Sequence, residues 1–167
     1  MVHPITTDLD DLAAELGRCL RASGDRLVTA ESCTGGWIAK CITDIAGSSA
    51  WLERGFVTYS NDAKREMLGV GADTLTCHGA VSEPVVREMA AGALAHSRAT
   101  IALAVSGIAG PDGGTPAKPV GTVCFGWARS DRVKAETRCF QGDRDQVRMQ
   151  SVAHALRLLI AELADAA

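Results

Sequence analysis

Two side chains able to attack an electrophilic carbon stand next to each other in Thr29-Ala30-Glu31-Ser32-Cys33-Thr34-Gly35-Gly36. Apolar Leu27-Val28 precedes them, and a helical pattern at Trp37, Ile38 and Cys41 follows. A strand that runs into a glycine pair and then a helix sets small polar side chains at the C-terminal edge of a sheet. Helix N–H groups point at the same spot and favour anions and developing negative charge. A serine hydroxyl attacks only once a base takes its proton. None of the histidines (His3, His78, His96, His154) falls at a strand end, which disfavours a serine–histidine pair. A lysine becomes a base when burial or nearby cations lower its pKa. Of Lys40, Lys64, Lys118 and Lys134, Lys64 and Lys118 fall in or beside the candidate loops, and Lys64 is the better candidate. Cys33 offers a rival route, because a thiol at a helix N-terminus can have a lowered pKa and act alone. Strand neighbours face opposite sides, so only one of the pair readily faces a cleft, and composition leaves the choice open. Each residue also has a plainer use: the serine as a helix cap, the thiol as core packing, the lysine as a solvated helix residue.

A second segment, Ser106-Gly107-Ile108-Ala109-Gly110-Pro111-Asp112-Gly113-Gly114-Thr115, is glycine-rich enough to bring backbone N–H groups close to a phosphate or oxyanion. It is neither a Walker A loop nor a dinucleotide fingerprint, since no Gly-Lys-Ser/Thr follows and no helix pattern opens after Pro111. Arg144 stands just inside a helix capped by Asp143, where guanidinium and helix dipole can together hold a phosphate.

The elements that must position these groups follow from periodicity. Leu9, Leu12, Ala13, Leu16 and Leu20 predict a helix after the capping candidates Thr7 and Asp8, ended by Gly24. Arg26 to Ala30 reads as a strand, Gly36 to Ile45 as a helix, Arg54 to Tyr59 as a strand, and Asn61 to Leu68 as a short helix. Ser82-Glu83-Pro84 starts a helix with the stripe Val85, Val86, Met89, Ala90, Ala93 and Leu94. Thr100 to Val105 is continuously apolar, as in a central strand covered on both faces. Val120 to Ala128 and Arg132 to Phe140 read as a hairpin, whose second strand turns Lys134, Glu136 and Arg138 outward as an edge would. Val152, Ala155, Leu156, Leu159, Ile160 and Leu163 stripe the last helix. This order predicts a three-layer α/β/α sandwich with a mixed, mostly parallel β-sheet, built as one domain over residues 1–167. In open sheets of this kind ligands bind beyond the carboxyl ends of the strands, where Glu31 to Gly36, Tyr59 to Lys64 and Ser106 to Gly121 would converge.

With 167 residues, 47% hydrophobic and 22% charged, the composition is that of a soluble globular protein. A net charge of −3 gives no basic footprint for nucleic acid, and no run approaches a membrane span. Cys19, Cys33, Cys41, Cys77, Cys124 and Cys139 form no C-x-x-C pair, so neither a metal site nor a disulfide framework is expected. The acidic beginning (Asp8, Asp10, Asp11, Glu15) is not a secretory signal, and a reducing cytoplasm is the expected compartment.

The segment Thr29 to Gly36, together with Gly55-Phe56-Val57-Thr58-Tyr59-Ser60-Asn61, His78-Gly79-Ala80-Val81-Ser82, Gly107 to Gly114, Lys118-Pro119-Val120-Gly121-Thr122-Val123 and Gly142-Asp143-Arg144, closely resembles the CinA C-terminal domain family. The likeness spans most of the chain in consistent order. It implies a metal- and cofactor-independent amidohydrolase that deamidates nicotinamide mononucleotide to nicotinate mononucleotide and ammonia, recycling pyridine nucleotides. On that resemblance Ser32 attacks the carboxamide and Lys64 moves the proton, with Tyr59 polarising the pair or relaying a proton. Backbone N–H groups of Thr34, Gly35 and Gly36, or of Ser106 and Gly107, would hold the oxyanion. Glu31, Asn61, Gly110 and Arg144 complete the implied substrate contacts. Small members of the family commonly associate, which implies a homo-oligomer. Where the family usually has threonine this chain has Ser106, which keeps the hydroxyl and loses a methyl contact. The competing functional reading is a non-catalytic nucleotide-binding or partner-binding module. A phosphohydrolase is weaker, since no carboxylate cluster for a metal is evident.

Overall fold

The computed structural model describes residues 9–130 and 132–165; the capping candidates Thr7 and Asp8 lie outside them. The chain runs α1 (Leu9–Ser23), β1 (Leu27–Glu31), α2 (Trp37–Thr43), a 3₁₀ turn (Ser48–Ala50) and β2 (Leu52–Val57). It continues through α3 (Asn61–Leu68), α4 (Ala72–His78), α5 (Glu83–Ala95), β3 (Ile101–Gly107), β4 (Thr122–Arg129), β5 (Arg132–Cys139) and α6 (Arg144–Asp165). The five strands form a mixed sheet in the order β2-β1-β3-β4-β5. β1 pairs in parallel with β2 and β3, while β4 is antiparallel to both β3 and β5. β5 therefore points the same way as β1, β2 and β3. β3 is central and β5 is an edge, as the apolar run and the outward charges predict.

Each face of the sheet carries its own core. Leu27, Ile101, Leu103, Val105, Val123 and Phe125 pack with residues of α1, α2 and α6 on one side. Val28, Ala30, Ala102, Ala104, Cys124 and Ala128 pack with α3, α4 and α5 on the other. The residues on this second face are small, so α5 can lie close to the sheet. A Cβ on Gly126 would stand 2.3 Å from the Val86 carbonyl oxygen. α5 also presses on the end of α3, where a Cβ on Gly92 would fall 1.8 Å from the Leu68 carbonyl oxygen.

Several boundaries differ from the periodicity. β2 begins at Leu52 rather than Arg54, because its register is set by β1, with Leu27 opposite Leu52. β4 begins at Thr122 rather than Val120, because Gly121 takes a φ of +96° that a strand cannot continue. α4 carries no apolar stripe and buries only Leu75, which is why the sequence pattern gives no helix there.

The chain leaves β1 toward β2 and leaves β3 toward β4, on opposite sides of the β1–β3 pair. A crevice opens at such a switch point, beyond the carboxyl ends of the strands. Because α3 is held by α5, Gly92→Ala should destabilise the protein by a net ~2 kcal/mol, the overpacking outweighing the ~1 kcal/mol helix-propensity gain. Thermal and urea unfolding would measure this; an unchanged melting temperature would contradict the close approach.

Candidate active site

The crevice is a cavity of about 210 Å³, and Ser32, Tyr59, Asn61, Lys64, Ser106 and Arg144 are among its lining residues. Ser32 follows β1 directly, and its N–H donates to the Val105 carbonyl at 2.9 Å, extending the β1–β3 ladder by one residue. Alternation from Val28 and Ala30 turns its side chain toward the α3 layer. There Lys64 Nζ lies 3.0 Å from Ser32 Oγ and donates to the Thr58 carbonyl oxygen at 2.8 Å. Only 1% of Lys64 is exposed, and burial lowers its pKa from the ordinary lysine value. A lysine so desolvated can exist as a neutral amine, with a lone pair for the serine proton.

The lysine reaches this spot because α3 starts abruptly. Ser60 caps it, its Oγ accepting from the Ala63 N–H at 3.0 Å, and Gly69 ends it at a φ of +71°. Lys64 thus sits one turn into a rigid helix. Asn61 and Tyr59 come from the same connection; Tyr59 is 62% exposed.

Cys33 takes the other face, as alternation requires. Its thiol belongs to the α1/α2/α6 core, although the residue also touches the cleft wall. Burial pushes its pKa up to about 12, the reverse of what a thiolate nucleophile needs.

Five expected substrate contacts, Glu31, Thr34, Gly35, Gly36 and Gly110, do not line the cleft. The Glu31 carboxylate accepts from Thr34 Oγ1 at 2.7 Å and from the N–H groups of Ile38 and Ala39 at 2.9 and 3.0 Å. It therefore holds the start of α2, a use that an acid seven and eight residues before those N–H groups does not announce. The Gly35 N–H donates to the Ser32 carbonyl at 3.0 Å, and Gly35 and Gly36 both take a positive φ in this turn. The Gly110 carbonyl accepts from Arg144 Nη1 at 2.9 Å. Lys118, the other lysine near the loops, donates to the His78 carbonyl at the end of α4.

Asp143 caps α6 as expected: its Oδ1 accepts from the Gln146 N–H, and Gln146 Oε1 accepts from the Asp143 N–H. This reciprocal cap fixes Arg144 in the first turn, where Nη2 donates to Tyr59 Oη at 3.1 Å. The site thus has two groupings, Ser32 with Lys64 and Tyr59 with Arg144, on the walls of one cleft.

The profile of the CinA C-terminal domain matches residues 9–163. The chain belongs to the CinA C-terminal domain family. It is 61% identical over 155 residues to Nicotinamide-nucleotide amidohydrolase PncC of Escherichia coli (strain K12), covering 92% of this chain and 93% of that protein. A protein of the same name from Pseudomonas putida is 55% identical over 155 residues, covering 93% and 94%. The crystal structure of competence damage-inducible protein A (ComA) from Klebsiella pneumoniae superposes with a TM-score of 0.91 at 46% identity. It covers 93% of this chain and 97% of that one. Ser106 stands on the cleft wall and is 1% exposed.

Among the described residues no three His, Cys, Asp or Glu side chains gather to hold a metal ion, and no helix is long and apolar enough to cross a membrane. The cysteines described are all free; Cys33, Cys41 and Cys124 are buried, while Cys77 and Cys139 are exposed. With iodoacetamide near pH 8, Cys77 and Cys139 should label in the native protein and Cys33 should not label until it is unfolded. Peptide mass spectrometry reads this directly; fast native labelling of Cys33 would restore the thiol as a nucleophile.

Proposed function

We propose that this protein hydrolyses the carboxamide of nicotinamide mononucleotide, giving nicotinate mononucleotide and ammonia, with Ser32 as nucleophile and Lys64 as base. The observation that carries the reading is the buried Lys64 amine 3.0 Å from Ser32 Oγ, its pKa lowered by burial. The substrate class comes from the names of the relatives, to which Arg144 at the cleft adds a cation suited to a phosphate.

The neutral Lys64 amine takes the Ser32 proton as Oγ attacks the carboxamide carbon. A tetrahedral oxyanion forms, and its collapse breaks the C–N bond while Lys64 returns the proton to the departing ammonia. Water, deprotonated by the same amine, then attacks the acyl-serine; the ester C–Oγ bond breaks, Lys64 returns the proton to Ser32 Oγ, and the acid product leaves as its carboxylate. For the oxyanion the Gly107 N–H is the better donor, since the Gly35 N–H is already bonded to the Ser32 carbonyl. The Ile108 N–H donates to Thr122 on β4, and successive N–H groups of a strand point to opposite sides. The Gly107 N–H therefore points toward β1, where Ser32 stands. Removing such a donor costs ~3–4 kcal/mol of transition-state stabilisation in other enzymes. Tyr59 acts with Arg144, its hydroxyl helping to orient the guanidinium over the substrate.

Ser32→Ala should abolish ammonia release, and Lys64→Met should lower kcat by ~10²–10⁴-fold. The sign of the pH dependence follows from the base role. A lysine whose pKa is lowered is protonated below that pKa, so the rate rises with pH through the lowered value, at a pH below the ordinary lysine pKa. Full activity in both variants, or an acid limb unchanged in a slow Lys64→Met enzyme, would sink the pair.

Arg144→Ala should raise KM for the mononucleotide ~10–100-fold, the loss of one or two charge-assisted bonds, and leave turnover of free nicotinamide unchanged. Parallel kinetics on the two amides checks this; equal losses on both would place Arg144 outside phosphate binding.

A further inference from the structure

α6 sends a second guanidinium to the site, from the side opposite the cleft. Arg148, one turn after Arg144, donates from Nε to the Cys33 carbonyl and from Nη2 to the Thr34 carbonyl, each at 3.1 Å. Its guanidinium carbon lies 5.2 Å from the centroid of the Trp37 ring, and Nη1 stands 3.8 Å from Asp145 Oδ1. The residue does not line the cleft.

We infer that Arg148 is a positioning residue that sets the backbone of the nucleophile, an inference that rests on Ser32 being the nucleophile. The chain of contacts is short. A peptide unit is planar and trans, so the direction of a carbonyl fixes the direction of the N–H in the same unit. Arg148 holds the Thr34 carbonyl, and the N–H of that unit belongs to Gly35. The Gly35 N–H donates to the Ser32 carbonyl at 3.0 Å. The other end of Ser32 is fixed by its own N–H on the Val105 carbonyl at 2.9 Å. Ser32 is therefore gripped at both backbone groups, one by the sheet and one by a turn whose planes Arg148 sets. Gly35 at a φ of +60° offers little resistance to another plane orientation, so the turn needs an external hold.

The two carbonyls are met by two different nitrogens of one rigid plane, whereas an ammonium would have to reach both from a single nitrogen on a flexible stem. Trp37 and Asp145 hold the guanidinium in that orientation. Arg144 and Arg148 thus divide the work: one faces the substrate, while the other faces the rear of the turn and touches no reacting atom.

The test uses Arg148→Lys, Arg148→Met and Arg148→Ala in the full chain, with ammonia release from nicotinamide mononucleotide as the assay. Misplacement of a reacting group by about 1 Å costs on the order of 10²-fold, so kcat should fall ~10–100-fold in all three. KM should stay within about twofold, and added guanidinium should recover part of the rate in Arg148→Ala. Arg148→Met keeps an apolar stem against Trp37, so melting temperature and circular dichroism separate lost positioning from lost folding. Unchanged kcat in the folded variants would overturn the inference. So would a rise in KM at constant kcat, which would make Arg148 a substrate contact, or a rate loss that guanidinium does not relieve. Ser32→Ala run alongside distinguishes the two readings: if it stays active, the nucleophile assignment fails whatever Arg148 does.

Discussion

Lys64 carries its amine into the crevice with 1% of its surface exposed, and it bonds there to a serine oxygen and a carbonyl oxygen. Removing a charged ammonium from water costs several kcal/mol unless an opposite charge meets it. Its burial lowers its pKa, and that neutral form is the one able to act as a base. The same placement works against stability: the penalty is full below the lowered pKa, where the buried amine is an ammonium, and it shrinks as pH rises from that value to the ordinary lysine value of the unfolded chain. A helix carrying such a residue would tend to move outward and rehydrate it.

Much of the surrounding architecture resists that movement. Ser60 and Gly69 fix the two ends of α3, so Lys64 cannot shift along the chain. α5 presses on α3 through Gly92, and its own start is fixed by the Ser82 cap, with Oγ accepting from the Val85 N–H. The alanines on that face of the sheet let both helices sit close. From the other layer the Glu31 carboxylate anchors the start of α2, just after the turn that carries Ser32. Small side chains in one layer and a buried acid in the other thus serve the same end, a serine and an amine held at bonding distance without the mobility of a loop.

What was legible in the sequence divides along physical lines. Asn61 to Leu68 has its structural bounds because its cap, stripe and terminal glycine are all local. The hairpin and the central strand are legible for a similar reason: alternation and continuous apolarity are written in adjacent residues. Lys64 stood out among four lysines as the better base, but Ser32 against Cys33 stayed open on composition, and only the likeness to the family favoured the serine. α4 was hidden because it buries only Leu75 and is held by its neighbours: Glu88 of α5 accepts from the Gly71 N–H and from Thr74 Oγ1. Glu31, Gly110 and Arg148 were hidden for a different reason. Their roles depend on partners 7 to 115 residues away, and no local pattern separates a buried strut from a ligand contact.

The strand directions explain why so many parts meet at one edge. β4 reverses and β5 reverses again, so β1, β2, β3 and β5 all end on the same side of the sheet. From β1 comes the turn that carries Ser32, and the β2 connection adds Tyr59, Asn61 and the capped helix with Lys64. β3 ends in Ser106 and Gly107, and β5 leads into α6 with its arginines. A fully parallel sheet would have needed a further crossover helix between β3 and β4. Here the glycine-rich connection turns back directly into β4, closed by Gly121, where a Cβ would fall 2.0 Å from the Phe140 carbonyl oxygen. That close approach ties the start of β4 to the end of β5 and so fixes where α6 begins. Gly121, which does not line the cleft, thereby helps decide where Arg144 meets it.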